Sequence, residues 1–493
     1  MKRIPKLLSK TKLMRGYRCQ KCIYLTIHHP ELEPPVTPDL QALFDQGNLI
    51  GETARNYIPG GTLVDCKPWE FGDALAKTRD LILNGTHTIY EAAFEYMGCY
   101  ARADIIQYSA DSKRWNIYEV KSTTSIKPEH LDDIGLQTWI MAKSGLPIEK
   151  IHIMHLNKEC CFPDLSNLFT QTDVTQQMRD NYPLVQPAVR KIFETIRCET
   201  APEVNIGPYC NEPTACQFTA HCWKDIPKIS VFNLPGIKER KWELYQAGII
   251  ALDDPRLTEL TELQQRVVQV HQNGERFVDH AVIQAELATW QYPLVFLDFE
   301  TINPAIPRYL GSHPYQQVPF QFSAHVLAHP DAELTHHEFL HTNADDPRPA
   351  LIPDLLAACG TQGSIVAYYG KFEAARINEL ATYAPESSAA LQALTARIVD
   401  PLPIFRAAVY DNAFAGSFSL KYVAPAILGA EHGYAGMDVA NGGDAQRAFE
   451  EMIAPRTSAD RKKNLEHALL KYCEKDTLVM VDLTRWMLTE TQA

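Results

Sequence analysis

Apolar and polar positions along the first third of the chain change period several times. "FGDALAKTRDLILNG" (71–85) carries apolar residues at helical spacing and predicts a helix. "CYARADIIQYS", the polar turn "ADSKR" and "WNIYEVKS" then predict two strands of a hairpin. A helical stretch, "EHLDDIGLQTWIMAKSG", and a further strand, "KIHIMHL", complete an α/β pattern. Residues 226–290 read as a mostly helical connector. The alternation then restarts with the strand "LVFLDFE" and with "FQFSAHVLA", in which Phe320, Phe322, Ala324 and Val326 alternate with polar residues. A helix, the strand "SIVAYY", the helix "FEAARINELA" and a long final helix from Leu465 to Met487 make a second α/β unit. No fixed-period repeat or low-complexity stretch interrupts this order. The predicted organisation is an α/β domain over 1–225, a connector over 226–290 and an α/β domain over 291–493.

Length and composition agree with this division. A chain of 493 residues exceeds one ordinary core, and 45% hydrophobic with 22% charged residues is globular in character. There is no apolar run of about 18 residues and no signal-peptide core, so a cytoplasmic protein without membrane contact is expected. The formal net charge of −13 counts against an all-over cationic coat for nucleic acid, but not against a local basic channel. Residues 1–21 hold eight basic residues and no acidic one, and read either as part of such a channel or as a solvated arm. The twelve cysteines do not suggest a disulfide framework in a cytosolic chain. Cys66, Cys99, Cys160, Cys161, Cys198 and Cys359 read as small buried hydrophobes. Cys210, Cys216 and Cys222 differ: "CNEPTACQFTAHC" places five residues between successive cysteines in a turn-rich segment, suited to wrapping a metal centre.

Two constellations carry candidate chemistry. In "YEVKSTT", Glu119 and Lys121 share one face of a strand, and Asp104 ends the preceding strand. The two carboxylates suit a hard cation such as magnesium, and the lysine can orient water or stabilise charge developing on a phosphate. Gln137 on the following helix is placed to complete the site. In "VFLDFETINP", Asp298 and Glu300 are one residue apart on one strand face, about 6 to 7 Å from each other, and their mutual repulsion calls for a cation. The last helix sets Tyr472 and Asp476 at i and i+4 on one face, and the helix after "IVAYY" holds Glu373.

The first constellation resembles the PD-(D/E)XK nuclease fold in its RecB-like form, with Asp104, Glu119, Lys121 and Gln137 on the motif positions. RecB-like nucleases of the CRISPR-adaptation type clamp a 4Fe-4S cluster. The resemblance implies Cys19, Cys210, Cys216 and Cys222 as its ligands, with Cys22 a possible substitute for Cys19. Zinc on the same thiolates is the alternative. Two positions depart from the pattern: Asn48 stands where a metal-binding histidine is usual, with Glu52 as a replacement, and Met141 stands where a tyrosine is usual. The second constellation resembles a DnaQ-like exonuclease of the DEDDy kind on an RNase H-like fold. That likeness implies that Asp298, Glu300, Glu373 and Asp476 hold two magnesium or manganese ions while Tyr472 orients water. Glu373 replaces the usual aspartate.

The whole C-terminal half also resembles an uncharacterised bacterial domain family whose members often carry a RecB-like domain in front. Asp400 in "IVDPLPIFR" is one of its landmarks and reads as structural, with an accessory metal role as the alternative. Lys421 in "GSFSLKYV" reads as a phosphate neighbour or a solvated lysine. These resemblances imply a metal-dependent nuclease with a 3′-to-5′ exonuclease site and a second nuclease site. DNA is the expected substrate, with RNA the alternative. A binding protein with one or both sites degenerate is the rival from another class.

Overall fold

A computed structural model describes residues 5–492 and divides them into two compact units. The first comprises residues up to Asp225 together with 305–308 and 312–315, and the second the remainder. Lys2 and Arg3 of the basic segment lie outside the described residues.

The first unit is built on a mixed sheet with helices packed on it. Its strands are β1 (Leu8–Ser9), β2 (Thr62–Leu63), β3 (Thr88–Tyr96), β4 (Cys99–Ser109), β5 (Arg114–Lys121), β6 (Ile148–Leu156) and β7 (Phe169–Asp173). They run in the order β2-β3-β4-β5-β6-β7, with β1 on β4. β3, β4 and β5 are antiparallel neighbours, while β5 and β6 are parallel. The helices are α1 (Lys10–Arg18), α2 (Gln20–His28), α3 (Pro38–Arg55), α4 (Phe71–Leu83), α5 (Pro128–Lys143), α6 (Thr175–Thr195) and α7 (Thr219–Cys222). The parallel β5–β6 pair needs a crossover, and α5 supplies it, starting with Pro128 at its first position, where the missing N–H costs nothing. Ile89, Ala103, Ile106, Ile117, Trp139 and Ile140 fill the core between sheet and helices. Met141 is buried there too. From Lys10 onward the basic segment is no free arm. Residues 10–18 form α1, and Gly16 lets that helix approach α6 so closely that a Cβ would lie 2.6 Å from Cγ1 of Ile192.

The second unit begins at Ile226, so residues 226–290 belong inside it and do not stand apart as a connector. Only α8 (Arg240–Gln246), α9 (Glu262–Asn273) and α10 (His280–Leu287) are α-helical there, with a short strand β8 (Phe277–Val278). Val231, Leu234, Val267, Val270 and Ile283 from this segment share a core with Phe405, Phe414, Leu483 and Met487, which is why it does not separate. A five-stranded sheet follows, with β9 (Leu294–Ile302), β10 (Val318–Leu327), β11 (Thr335–Leu340), β12 (Ser364–Val366) and β13 (Ile398–Val399) in the order β11-β10-β9-β12-β13. β10 is antiparallel to both neighbours, while β9, β12 and β13 run parallel. β14 (Val409–Tyr410) pairs with β8.

The helices of this unit are α11 (Arg348–Cys359), α12 (Lys371–Tyr383), α13 (Ser388–Thr395), α14 (Pro401–Ala408), α15 (Leu420–Leu428), α16 (Gly442–Ile453) and α17 (Ala459–Glu490). β9 is covered on both faces, so its opening residues, Leu294 to Leu297, form an unbroken apolar run. β10 differs from a half-solvated strand. Its polar positions Gln321, Ser323 and His325 are as buried as its apolar ones, because α17 covers them and accepts or returns their hydrogen bonds.

Taken together, the chain is α/β in both units. No helix among the described residues is long and apolar enough to cross a membrane.

Candidate functional site

In the second unit β9 points Asp298 and Glu300 to one side, and α17 brings Asp476 against them. One carboxylate oxygen from each lies within 4.8 Å of the others. Glu300 and Asp476 are buried and Asp298 nearly so. Burial pushes the carboxyl pKa values of Asp298 and Glu300 well above the usual range, and the neighbouring acids push them further. Asp476 is raised to about 6, with burial again the leading cause and Tyr434, which donates to its Oδ1, working the other way.

Glu373, in the first turn of α12, lines the same cleft as these three, with Phe372, Thr301, Gln317, Gly442 and Tyr472. It is 3% exposed, and its Oε2 has no hydrogen-bond partner. Burial raises its pKa to about 8. Asp400 explains how α12 is set. Its carboxylate accepts from the N–H groups of Tyr369 and Gly370 at 3.0 Å and caps α14 through the N–H of Leu402 at 2.9 Å. It is a brace for the turn that delivers Glu373.

Tyr472, one turn before Asp476 on α17, is 4% exposed, and its phenol is held protonated by burial and by the surrounding acids. Lys421 is not a solvated lysine. Its Nζ donates to the carbonyl of Ala440 at 2.6 Å and stands over the rings of Tyr434 and Tyr472 at 5.4 and 5.6 Å. Its charge favours ionisation of Asp298, Glu300 and Asp476, and Lys475 assists at Asp476. These cations, with Arg376 beside Glu373, leave the carboxyl pKa values raised. A hard divalent cation fits this all-oxygen donor set, and the unpartnered buried oxygen of Glu373 is the observation that tests the fit.

The first unit treats its acids differently. Glu119, 3% exposed, accepts from Lys10 and Lys121 at 2.9 Å on one oxygen and from the amide of Gln137 at 2.6 Å on the other. Lys10 also donates to Asp133 at 3.0 Å and to the Gln137 amide oxygen at 2.7 Å, and Lys121 reaches Asp133 at 2.5 Å. Against the cost of burial, the two lysines hold Asp133 well below the usual carboxylate range. Asp104 accepts from the N–H of Val120 at 2.6 Å, and its pKa is raised by burial, then by Glu119 and Glu91. Asp104, Glu119, Lys121 and Gln137 are thus neighbours, but Lys10 and Asp133, which sequence reasoning missed, complete their network. Glu91 also enters from β3, opposite Asp104 in the register and at φ 58°. Asn48 and Glu52 are exposed on α3.

The five cysteines Cys19, Cys22, Cys210, Cys216 and Cys222 line one cavity. Cys22 and Cys216 are 3.9 Å apart through sulfur, and Cys216 is lowered to about 6, chiefly by that S–H contact, with Arg18 and Arg15 assisting. Among the described residues no three thiols lie within 4.8 Å of one another, and Val204, Ile206, Tyr209 and Phe218 line the same cavity. The donor set suits soft metal chemistry. Of the other cysteines, Cys99, Cys160 and Cys359 are buried and Cys66 is half-buried. Cys161 and Cys198 are exposed, since they fall in a turn and just beyond the end of α6 and not on a packed face.

Residues 295–419 match the family described as a domain of unknown function (DUF2779). The matched span carries Asp298, Glu300, Glu373 and Asp400 and stops before Lys421, Tyr472 and Asp476. No curated protein matches the chain.

Proposed function

We propose that the second unit is a metal-dependent phosphodiesterase acting as a 3′-to-5′ exonuclease on DNA. The observation that carries this reading is the assembly of Asp298, Glu300 and Asp476 within 4.8 Å, in one cleft with Tyr472 and with a buried Glu373 oxygen that has no partner. The sheet order, three antiparallel strands followed by two parallel ones, supports an RNase H-like fold for the unit. Magnesium or manganese bound to the four carboxylates would activate water and neutralise charge on the departing oxygen. The chain's own part is to hold the carboxylates against their repulsion. Tyr472, kept protonated, presents a hydroxyl donor in the cleft. Lys421 adds positive charge beside the carboxylates.

The test is release of nucleotides from end-labelled single-stranded DNA with manganese or magnesium, RNA serving as the comparison. Asp298→Asn and Glu300→Gln should abolish release without unfolding the protein. An unchanged rate in either would overturn the assignment.

For the first unit a second reading has a specific observation behind it. Both oxygens of Glu119 are engaged by Lys10, Lys121 and Gln137, which favours a RecB-like domain that grips nucleic acid or a partner over one that cuts. The cysteine segment, with a 4Fe-4S cluster or zinc, then closes that domain by joining α1–α2 to the chain that follows α6. Cytoplasmic location belongs to the same proposal.

A further inference from the structure

One face of β10 and β11 carries a pair of histidines that the nuclease reading does not use. His325 and His336 sit directly opposite each other in the strand register, with rings stacked at a centroid distance of 4.3 Å. Glu474, on α17, faces them: its Oε1 is 3.9 Å from Nδ1 of His336. One ligand atom from each of the three residues lies within 4.8 Å of the other two. Glu474 is two positions from both Tyr472 and Asp476, so it leaves the helix on a different side from the carboxylate cleft.

We propose that His325, His336 and Glu474 form a second metal site, which takes a divalent transition ion of the zinc class. Each imidazole has one nitrogen held by a hydroxyl; the rings are stacked with 16° between their planes, so the His336 ring, 24% exposed, turns out of the stack when both lone pairs meet at one ion. Nδ1 of His325 is hydrogen-bonded to the Thr477 hydroxyl at 2.8 Å, which leaves Nε2 as its free donor atom. Nε2 of His336 is bonded to the Ser323 hydroxyl at 2.9 Å, which leaves Nδ1 on the side of Glu474. Ser323 and Thr477 are in turn joined at 2.7 Å. A ligand ring whose second nitrogen is fixed by a protein group is the usual outer shell of a metal-binding histidine.

Two nitrogens and one carboxylate oxygen suit zinc and its neighbours, whereas the all-oxygen cleft suits magnesium or manganese. Ligand atoms at zinc distances stand about 3.4 Å apart in a tetrahedron, so pairs now up to 4.8 Å apart close by as much as about 1.4 Å. The Glu474 side chain, 47% exposed, and the His336 ring, 24% exposed, have the freedom to do so and leave the fourth position to water. The bound ion would tie the β10–β11 hairpin to α17, the helix that carries Tyr472 and Asp476.

The test is zinc content and thermal stability of the full-length protein, stripped with chelator, reloaded with zinc and dialysed. The cysteines are candidate zinc ligands as well, so the readout is the difference from wild type. His336→Gln should lose one equivalent of zinc and part of the zinc-dependent rise in Tm. Glu474→Gln, a change at a half-exposed position that does not threaten folding, should weaken the same equivalent by at least about 10-fold. Zinc content and Tm rise identical to wild type in both variants would overturn the site and leave a hydrogen-bonded histidine pair. Because the readout is binding, this outcome is independent of whether the protein cuts DNA.

Discussion

Replacing Glu373 by glutamine should stabilise the metal-free protein and destabilise it relative to wild type once metal is added. The carboxyl is 3% exposed, one oxygen is unpartnered, and burial raises its pKa from 4.5 to about 8. A raised carboxyl pKa means that the folded state binds a proton more tightly than the unfolded chain. Stability is therefore greatest below the unfolded value and is lost as pH rises through the window between about 4.5 and about 8. At pH 7 the loss integrates to about 3 kcal/mol for this group alone, taking about 1.4 kcal/mol per unit of displacement. Glutamine keeps the shape and removes the titration. Calorimetric unfolding of Glu373→Gln and wild type, both in chelator, should thus coincide near pH 4.5 and diverge by several degrees in Tm at pH 7 to 8, the variant being the more stable. Saturating manganese should reverse the order, because only wild type gains the full binding energy. A variant less stable than wild type at pH 7 to 8 without metal, or a difference that does not change with pH, would refute the reasoning.

Asp298→Asn should reduce nucleotide release by more than the 10- to 100-fold typical of outer-shell changes, measured at saturating manganese. Lys10→Gln should destabilise the first unit by about 1 to 3 kcal/mol, because it leaves Glu119 and Asp133 with one fewer cation, and should raise manganese affinity there, measured by titration in an Asp298→Asn background. Lys121→Ala should remove any activity that persists in Asp298→Asn. Protein purified without oxygen should be brown with iron and acid-labile sulfide, and Cys216→Ser should lose that colour. Colourless protein with stoichiometric zinc would retain the clamp and exclude the cluster.

Much of the scaffold was legible because it is local. The strands and helices around Asp104, Glu119, Gln137, Asp298 and Asp476 follow from period and from turn residues within a few positions. What was not legible needed contacts between distant segments. Lys10 looked like one charge in a basic stretch, and nothing near it in sequence shows that α1 packs on α6 and directs it to Glu119, 109 residues away. Asp133 reads as a surface acid in "EHLDDIG" until two lysines are seen on it. The alternation along β10 cannot say what covers its polar face. α17 does, and it turns Ser323 and His325 into a buried network. The histidine pair exists only in the β10–β11 register, where a slip of one residue would send His325 to the other face.

The two units meet the same difficulty, buried acids close together, in opposite ways, and the contrast bears on where chemistry is to be sought. Around Glu119 the chain supplies its own cations: two lysine ammonium groups and a glutamine amide satisfy the carboxylate, so an incoming metal must displace Lys10 before it can bind. Around Asp298 and Glu300 it does not. Lys421 is committed to the Ala440 carbonyl, Tyr434 serves only Asp476, and Glu373 keeps an oxygen with no partner. A fold that needed only stability would have no reason to retain that arrangement, since a buried polar atom without a partner costs about 1 to 3 kcal/mol. The deficit of positive charge in this cleft is what a divalent cation would remove, and the second unit is therefore the place where metal and substrate should be sought first.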